Sequence, residues 1–386
     1  MEFALSKNRT VKVALGFNDV SLIPSMCTVD PADVDTSYEL GGHKYTLPII
    51  GAAMDGVVDM KIARMFSGFG GLGVLNLEGI YTRYEKYDDI LEEIVAADDE
   101  HATAIFQRVY QEPVKPELIH QRIAEIKEGG LKCAVSLTPV GVLLHGDVAI
   151  AAKPNVLCVQ STVTSAQHRS KSGPTLDVAE LIRGIEIPVL VGNVSGYEVS
   201  RALLEAGAAG LFVGVGPGQA CTTRGVTGVG VPQITATADC AAARDDYFES
   251  TGNYALIITD GGMRKGGEIC KALAAGADAI MTGSIFAGCP ESPAAPYHWG
   301  MATPDPNLPR GTRVKSNVSV PLKQVLLGPS KVTDGTQNLV GAIRSAMGLC
   351  GAANIREFHE TQLAFSLSFM TEGKALQMSQ HVGMGK

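Results

Sequence analysis

The 386-residue sequence has no long apolar run, no closely spaced cysteine pairs and no excess of basic charge. Its best apolar stretch, Leu47 to Val58, is interrupted by Asp55 and falls short of the roughly 18 residues a membrane span needs. The opening MEFALSKNRTVKV has no apolar core after its charges, so no secretory signal is expected. Eight cysteines are scattered at 27, 133, 158, 221, 240, 270, 289 and 350, with no CxxC or HxxH spacing. Neither a disulfide framework nor a zinc site is signalled, and the chain reads as a reduced, cytoplasmic protein. Lys and Arg number 32 against 40 Asp and Glu, a net charge of −8. That balance argues against nucleic acid or an anionic membrane as a principal partner, though a local basic patch can still hold a small phosphate. Tryptophan occurs once, yet 45% of residues are hydrophobic, ample for a large core.

Glycine is plentiful, 44 residues, and much of it follows short apolar runs. Those runs lie at 47–53, 72–76, 132–137, 155–160, 187–192, 210–215, 255–260 and 278–283. Continuous apolar character without alternation suits strands buried on both faces, as in a parallel sheet. Between them, 115–129, 195–207 and 266–277 carry apolar residues at helical spacing, and a further helix is expected over 338–351. Eight strand-helix units between residues 47 and 283 match the roughly 250 residues of an α/β TIM barrel, a (β/α)8 fold. A doubly wound sheet can be written with the same elements, but the count favours the barrel. The expected organisation is a single domain over 1–386, with an N-terminal extension, a long lid-like loop over 286–335 and a C-terminal tail. Residues 80–113 form a charged, helix-like segment too short for a sizeable extra domain.

The strongest local signal is GVGPGQACTTRGVTGVGVPQITA, 214–236. Three glycines and a proline in its first five positions exclude regular helix and bring backbone close to a ligand. Cys221 stands at the far end of that loop, with Thr222, Thr223 and Arg224 beside it. A cationic neighbour or oriented amides would raise the thiolate fraction and create a nucleophile. The alternative is an ordinary buried cysteine. Asp260-Gly261-Gly262 and Gly283-Ser284 end the seventh and eighth runs, where barrels often build a phosphate site from backbone amides. Tight turns alone also explain glycine there. Gly68-Phe69-Gly70-Gly71-Leu72-Gly73 satisfies GxGxxG, but it closes a helix and opens a strand, so it reads as a turn. His298, in PYHWGMA, is the one histidine in a plausible active-site loop.

Over nearly its whole length the chain resembles the IMP dehydrogenase/GMP reductase family. The resemblance rests on FNDVSLIPSMCTVDPADVDTS (17–37), LPIIGAAMDGV (47–57), GNV (192–194), GVGPGQACTTR (214–224), TDGG (259–262), GADAIMTGS (276–284) and GAIRSAMGLCGAANIREF (341–358), in family order. It is most similar to the IMP dehydrogenase-related branch without CBS domains; segment 80–113 stands where relatives carry the CBS pair.

The resemblance implies NAD-dependent oxidation of IMP to XMP in guanine nucleotide biosynthesis, through a thioimidate on Cys221. It implies proton handling by Thr223, ribose binding by Asp260, and a phosphate cradle at Gly262, Gly283 and Ser284, with Gly261 beside them a further substrate contact. Met54 would pack near the purine, with His298, Gly300 and Met301 in the base-binding loop. Asn193, Gly214, Val215 and Gly216 would meet the nicotinamide half of the cofactor, and carbonyls of Gly216, Gly218 and Cys221 would hold a monovalent cation, usually K+. A homotetramer or octamer is also implied. Three departures stand out. Gln219 replaces the family's phosphate-binding serine, and Gln160 replaces a strand-end aspartate at the nicotinamide ribose. The Arg-Tyr pair that activates water is missing between Met301 and Val314, and GMP reductase's glutamate aligns with Arg310. Arg310, or Arg313, could serve as a substitute guanidine base; the alternative for either is a structural or substrate-contact role. GMP reductase and a purine-nucleotide-binding regulator without turnover are the alternatives.

Overall fold

The computed structural model describes residues 2–171, 173–300, 313–317, 320–365, 377, 379 and 380. Eight parallel strands form a closed barrel, in chain order around the ring. They are β1 (Ile49–Gly51), β2 (Leu72–Asn76), β3 (Ala134–Leu137), β4 (Val156–Gln160), β5 (Val189–Val194), β6 (Gly210–Val213), β7 (Leu256–Asp260) and β8 (Ala279–Thr282). The ring closes where β8 pairs with β1, through Ile280 with Ile49 and Thr282 with Gly51.

The continuous apolar runs arise because both faces of every strand are covered. Ile50, Leu72, Val74, Ala134, Val156, Cys158, Phe212, Ile258 and Met281 fill the barrel interior. Their sequence neighbours Ile49, Leu75, Val135, Leu157, Leu211, Ile257 and Ile280 pack outward against the helices. Small Ala134 and Ala279 share the interior with bulky Phe212 and Met281, so the filling alternates in size.

The helices begin with α1 (Met60–Gly68), whose first turn is capped by Asp59 accepting from the Ile62 amide at 2.7 Å. Segment 80–113 holds two short helices, α2 (Asp88–Ala96) and α3 (Ala102–Val109). Then follow α4 (Pro116–Lys127), α5 (Pro139–Ala151), α6 (Val178–Arg183), α7 (Tyr197–Glu205), α8 (Thr223–Thr227), α9 (Gln233–Thr251) and α10 (Gly266–Ala274). After β8 come α11 (Leu322–Leu327) and α12 (Leu339–Leu349).

A hairpin of Tyr38–Leu40 and His43–Tyr45 plugs the N-terminal end of the barrel. Its two tyrosine rings stack at 5.3 Å and pack on the first residues of β2, β3, β4, β7 and β8. Nearby, Asp278 accepts from Arg244 Nη1 at 3.0 Å, the Tyr254 hydroxyl at 2.6 Å and the Ile257 amide at 2.8 Å.

One sequence expectation changes, and one helix carries little sequence signal. Residues 233–251 form the 19-residue helix α9, whose alanine-rich and acidic register lacks a clean apolar stripe. The stretch 286–335 is not simply a loop. Phe286, Ala287, Cys289, Ala294 and Trp299 are buried in it, Tyr297–His298 pairs with Val314–Lys315, and α11 follows. The GxGxxG segment does join the end of α1 to β2.

Candidate active site

A pocket of about 590 Å³ opens at the C-terminal ends of the strands, the functional face of such barrels. Met54 after β1, Gln160 on β4, Asn193 on β5, Gly214 and Gly216 to Thr223 after β6, Asp260 to Gly262, Gly283, Ser284, His298 and Gly300 all line it. Thr138, Ser161 and Thr162 line it as well. These three hydroxyls were not singled out from sequence; their signal was a polar residue directly after an apolar run. Val215 is buried and does not line the pocket. Met301 and Arg310 lie outside the described residues.

Cys221 is exposed in this pocket, on the loop between β6 and α8. Its thiol donates to Thr223 Oγ1 at 3.3 Å, and its amide donates to the Gly218 carbonyl at 3.0 Å. Arg224 does not serve as its cationic neighbour. The guanidinium ties the loop instead, donating to the Val215 carbonyl at 3.0 Å and the Val231 carbonyl at 2.6 Å.

Across the mouth, Asn193 Nδ2 donates to Asp260 Oδ2 at 2.8 Å and to the Gly214 carbonyl at 3.0 Å. Burial pushes the Asp260 carboxyl up to about 6, and the Asn193 bond opposes that shift. Gln160 sits deeper, accepting from Ser136 Oγ at 3.3 Å and donating to Asn193 Oδ1 at 3.4 Å. Gln233, at the start of α9, was missed from sequence. Its Nε2 donates to the Asp260 carbonyl at 2.9 Å and reaches the Val213 carbonyl at 3.2 Å, locking β6 to β7. Only the barrel's curvature brings it there; its local sequence carries no mark of the role.

Among the described residues, the amides of Gly262, Gly283 and Ser284 have no backbone or side-chain acceptor. The Gly261 amide, by contrast, is used by the Met281 carbonyl at 3.0 Å. Gly262 adopts φ +83°, which turns its amide outward and which an L side chain resists. A Cβ at Gly283 would stand 2.4 Å from Met54 Sδ, so glycine keeps backbone and Met54 close together. Free amides of this kind in one pocket can serve as an anion nest. On the Cys221 loop, the Gly216 and Cys221 carbonyls accept no hydrogen bond from described residues, whereas the Gly218 carbonyl accepts one. Free carbonyls of this kind suit a hard monovalent cation; no cluster of His, Cys, Asp or Glu suited to a transition metal occurs among the described residues.

His298 is buried in the pocket wall. Burial lowers its pKa, and neither ring nitrogen meets a described partner at hydrogen-bonding geometry; the Val314 backbone is near enough only to oppose the shift. Arg313 is not available as a base. Its guanidinium is caged by the carbonyls of Ile94 (2.5 Å), Val95 (2.9 Å) and Ala97, and its side chain is 3% exposed.

Fold and site together define a (β/α)8 barrel with a cysteine, a buried carboxyl and a nest of free amides on its working face. The chain belongs to the IMP dehydrogenase / GMP reductase domain family, which matches residues 14–302 and is a family of oxidoreductases. It is 35% identical to an uncharacterized oxidoreductase of Mycobacterium tuberculosis over 369 residues, covering 93% of this chain and 98% of the relative. It is 27% identical over 470 residues to the inosine-5′-monophosphate dehydrogenase of Methanocaldococcus jannaschii, covering 92% of this chain and 93% of that one. That alignment is longer than this chain, so the relative carries residues with no counterpart here. The crystal structure of an IMP dehydrogenase/GMP reductase-like protein from Corynebacterium glutamicum superimposes with a TM-score of 0.89. It is 30% identical and covers 95% of this chain and 98% of that chain. No helix among the described residues is long and apolar enough to cross a membrane.

Proposed function

We propose that this protein oxidises inosine 5′-monophosphate to xanthosine 5′-monophosphate with NAD, using Cys221 as nucleophile. The observation that carries the reading is that an exposed thiol, free backbone amides and a buried carboxyl line one pocket. The amides of Gly262, Gly283 and Ser284 receive the phosphate, Asp260 accepts from a ribose hydroxyl, and Met54 packs beside the purine. The purine C2 then faces Cys221.

Sγ adds to C2 as thiolate, making that carbon tetrahedral and placing a proton on the adjacent ring nitrogen; Thr223 Oγ1, which accepts the thiol's hydrogen bond at 3.3 Å, would relay the thiol proton to water. NAD serves as the hydride acceptor, and the hydroxyls of Thr138, Ser161 and Thr162 line the part of the pocket that would hold it. Loss of hydride from C2 leaves a thioimidate on Cys221. Water adds to that carbon, the C–S bond breaks, and the thiol is regenerated with xanthosine monophosphate. Carbonyls of Gly216, Gly218 and Cys221 would hold K+ and so brace the loop that presents the thiol.

The test is a pair of absorbance assays with potassium present, one with IMP and NAD, the other with GMP and NADPH. NAD reduction that vanishes in Cys221→Ala is the expected result. Oxidation of NADPH with GMP would establish the reductase instead. Silence in both arms with retained nucleotide binding would overturn the enzymatic reading in favour of a nucleotide-binding regulator.

A further inference from the structure

Segment 80–113 is attached to the pocket at two points, both in the loop region after β8. Trp299 lies between the pocket residues His298 and Gly300, and its Nε1 donates to the Tyr110 hydroxyl at 2.8 Å. That hydroxyl donates in turn to Asp55 Oδ2 at 2.6 Å. Asp55 directly follows Met54, another pocket residue, and also accepts from Asn76 Nδ2 at 3.1 Å and the Ile80 amide at 2.8 Å. The indole packs on Phe106 of α3, ring centroids 5.0 Å apart. A Cβ at Gly56 would stand 2.9 Å from the indole, so the β1 loop meets Trp299 without a gap.

The second attachment is Arg313. Its guanidinium takes up the carbonyls at the C-terminal end of α2, where the helix dipole favours a cation. It lies 4.4 Å from the ring centroid of Tyr297, which is paired in register with Lys315. Trp299 and Arg313 are thus held on one base, and the strand pair between them carries His298. The Trp299–Tyr110–Asp55 bonds are buried and those of Arg313 part-buried; all are directional and join elements far apart in sequence. A segment that only filled space would need apolar contact alone.

We infer that α2 and α3 fix the outer wall of the pocket, with Tyr110 and Arg313 as positioning residues for His298 and Gly300. The inference rests on the proposed function only where nucleotide is used to read it. The single tryptophan of the chain sits at the first attachment, so its fluorescence reports the wall directly.

The experiment compares wild type with Tyr110→Phe, Arg313→Lys and, as a control at the far end of the barrel, Tyr254→Phe. Trp299 emission and acrylamide quenching are measured without ligand, and KM and kcat are measured with IMP. Tyr110→Phe and Arg313→Lys are expected to red-shift the emission and raise quenching severalfold, and to raise KM for IMP roughly tenfold with a smaller change in kcat. Tyr254→Phe also loses a hydrogen bond, the one to buried Asp278, and its melting temperature should fall while Trp299 stays shielded. Wild-type emission and quenching in both test variants would overturn the inference, as would equal loosening in the control. Should Tyr110→Phe fail to fold, Arg313→Lys decides alone. Should IMP fail to bind, the ligand-free fluorescence still decides, and only the function proposal falls.

Discussion

Asn193 Nδ2 stands 2.8 Å from Asp260 Oδ2, so the ends of β5 and β7 are joined across the mouth of β6. The same amide nitrogen reaches the Gly214 carbonyl at 3.0 Å, at the root of the Cys221 loop. One side chain therefore orients the carboxyl and anchors the loop that carries the thiol. The second carboxylate oxygen is left for a ligand.

Asp260 is expected to lower stability for the sake of binding. Its folded pKa, about 6, is above the ordinary 3.8, so the ionised carboxyl destabilises the fold fully above pH 6. That cost shrinks as pH falls through 6 and is gone below 3.8. Asp260→Asn should raise the melting temperature at pH 7.5, and raise it less at pH 5. IMP affinity should fall on the order of ten- to a hundredfold in the variant, the worth of a charge-assisted bond. In wild type, calorimetry should show affinity declining below pH 6. A variant no more stable at pH 7.5 would show that the carboxyl is not strained.

Cys221 and Cys27 are exposed, whereas Cys133, Cys158, Cys240, Cys270 and Cys289 are buried. Burial pushes Cys133, Cys240, Cys270 and Cys289 up to about 12. Iodoacetamide should therefore label Cys221 and Cys27 first, read by peptide mass spectrometry. IMP should protect Cys221 and leave Cys27 unchanged. Cys221→Ala should reduce NAD turnover by at least about a thousandfold, the scale on which loss of a nucleophile registers.

Gly262→Ala forces an L side chain into φ +83° and sets its Cβ 3.1 Å from the Pro217 Cβ. A left-handed conformation costs about 1–2 kcal/mol. The backbone should relax away from that cost, turn the free amide aside and weaken IMP binding by roughly tenfold. Inosine, which lacks the phosphate, should lose little. Equal losses for both ligands would remove the amide nest as the phosphate site.

At the opposite end, Arg244→Ala leaves Asp278 buried without its cation, which should destabilise by about 3–5 kcal/mol in chemical denaturation. KM for IMP should not move, because stability resides at the N-terminal face of such barrels and chemistry at the other. A large KM change would contradict that division.

The strands were legible because every one is covered on both faces, which removes alternation and leaves dense apolar runs. The Cys221 loop and the glycines at 261, 262 and 283 were legible because unusual backbone needs unusual composition. The choice between base and brace for Arg313 was not legible because a guanidinium looks alike in either role; the carbonyls that cage it, at 94, 95 and 97, lie over 200 residues earlier. Gln233 and Tyr110 were invisible for the same reason. Their partners are brought near only when the ring closes, and no local spacing records that.

The Tyr38–Tyr45 hairpin precedes all eight barrel strands in the chain, while the pairing of Ile280 with Ile49 comes last. A chain emerging from synthesis therefore carries its plug first and waits longest for the seam between β8 and β1. Until that seam forms, two bare strand edges are open to pairing with other chains. Folding speed and aggregation in this protein should accordingly be governed by that one junction, whose C-terminal end runs straight into Met54 and Gly283 of the pocket.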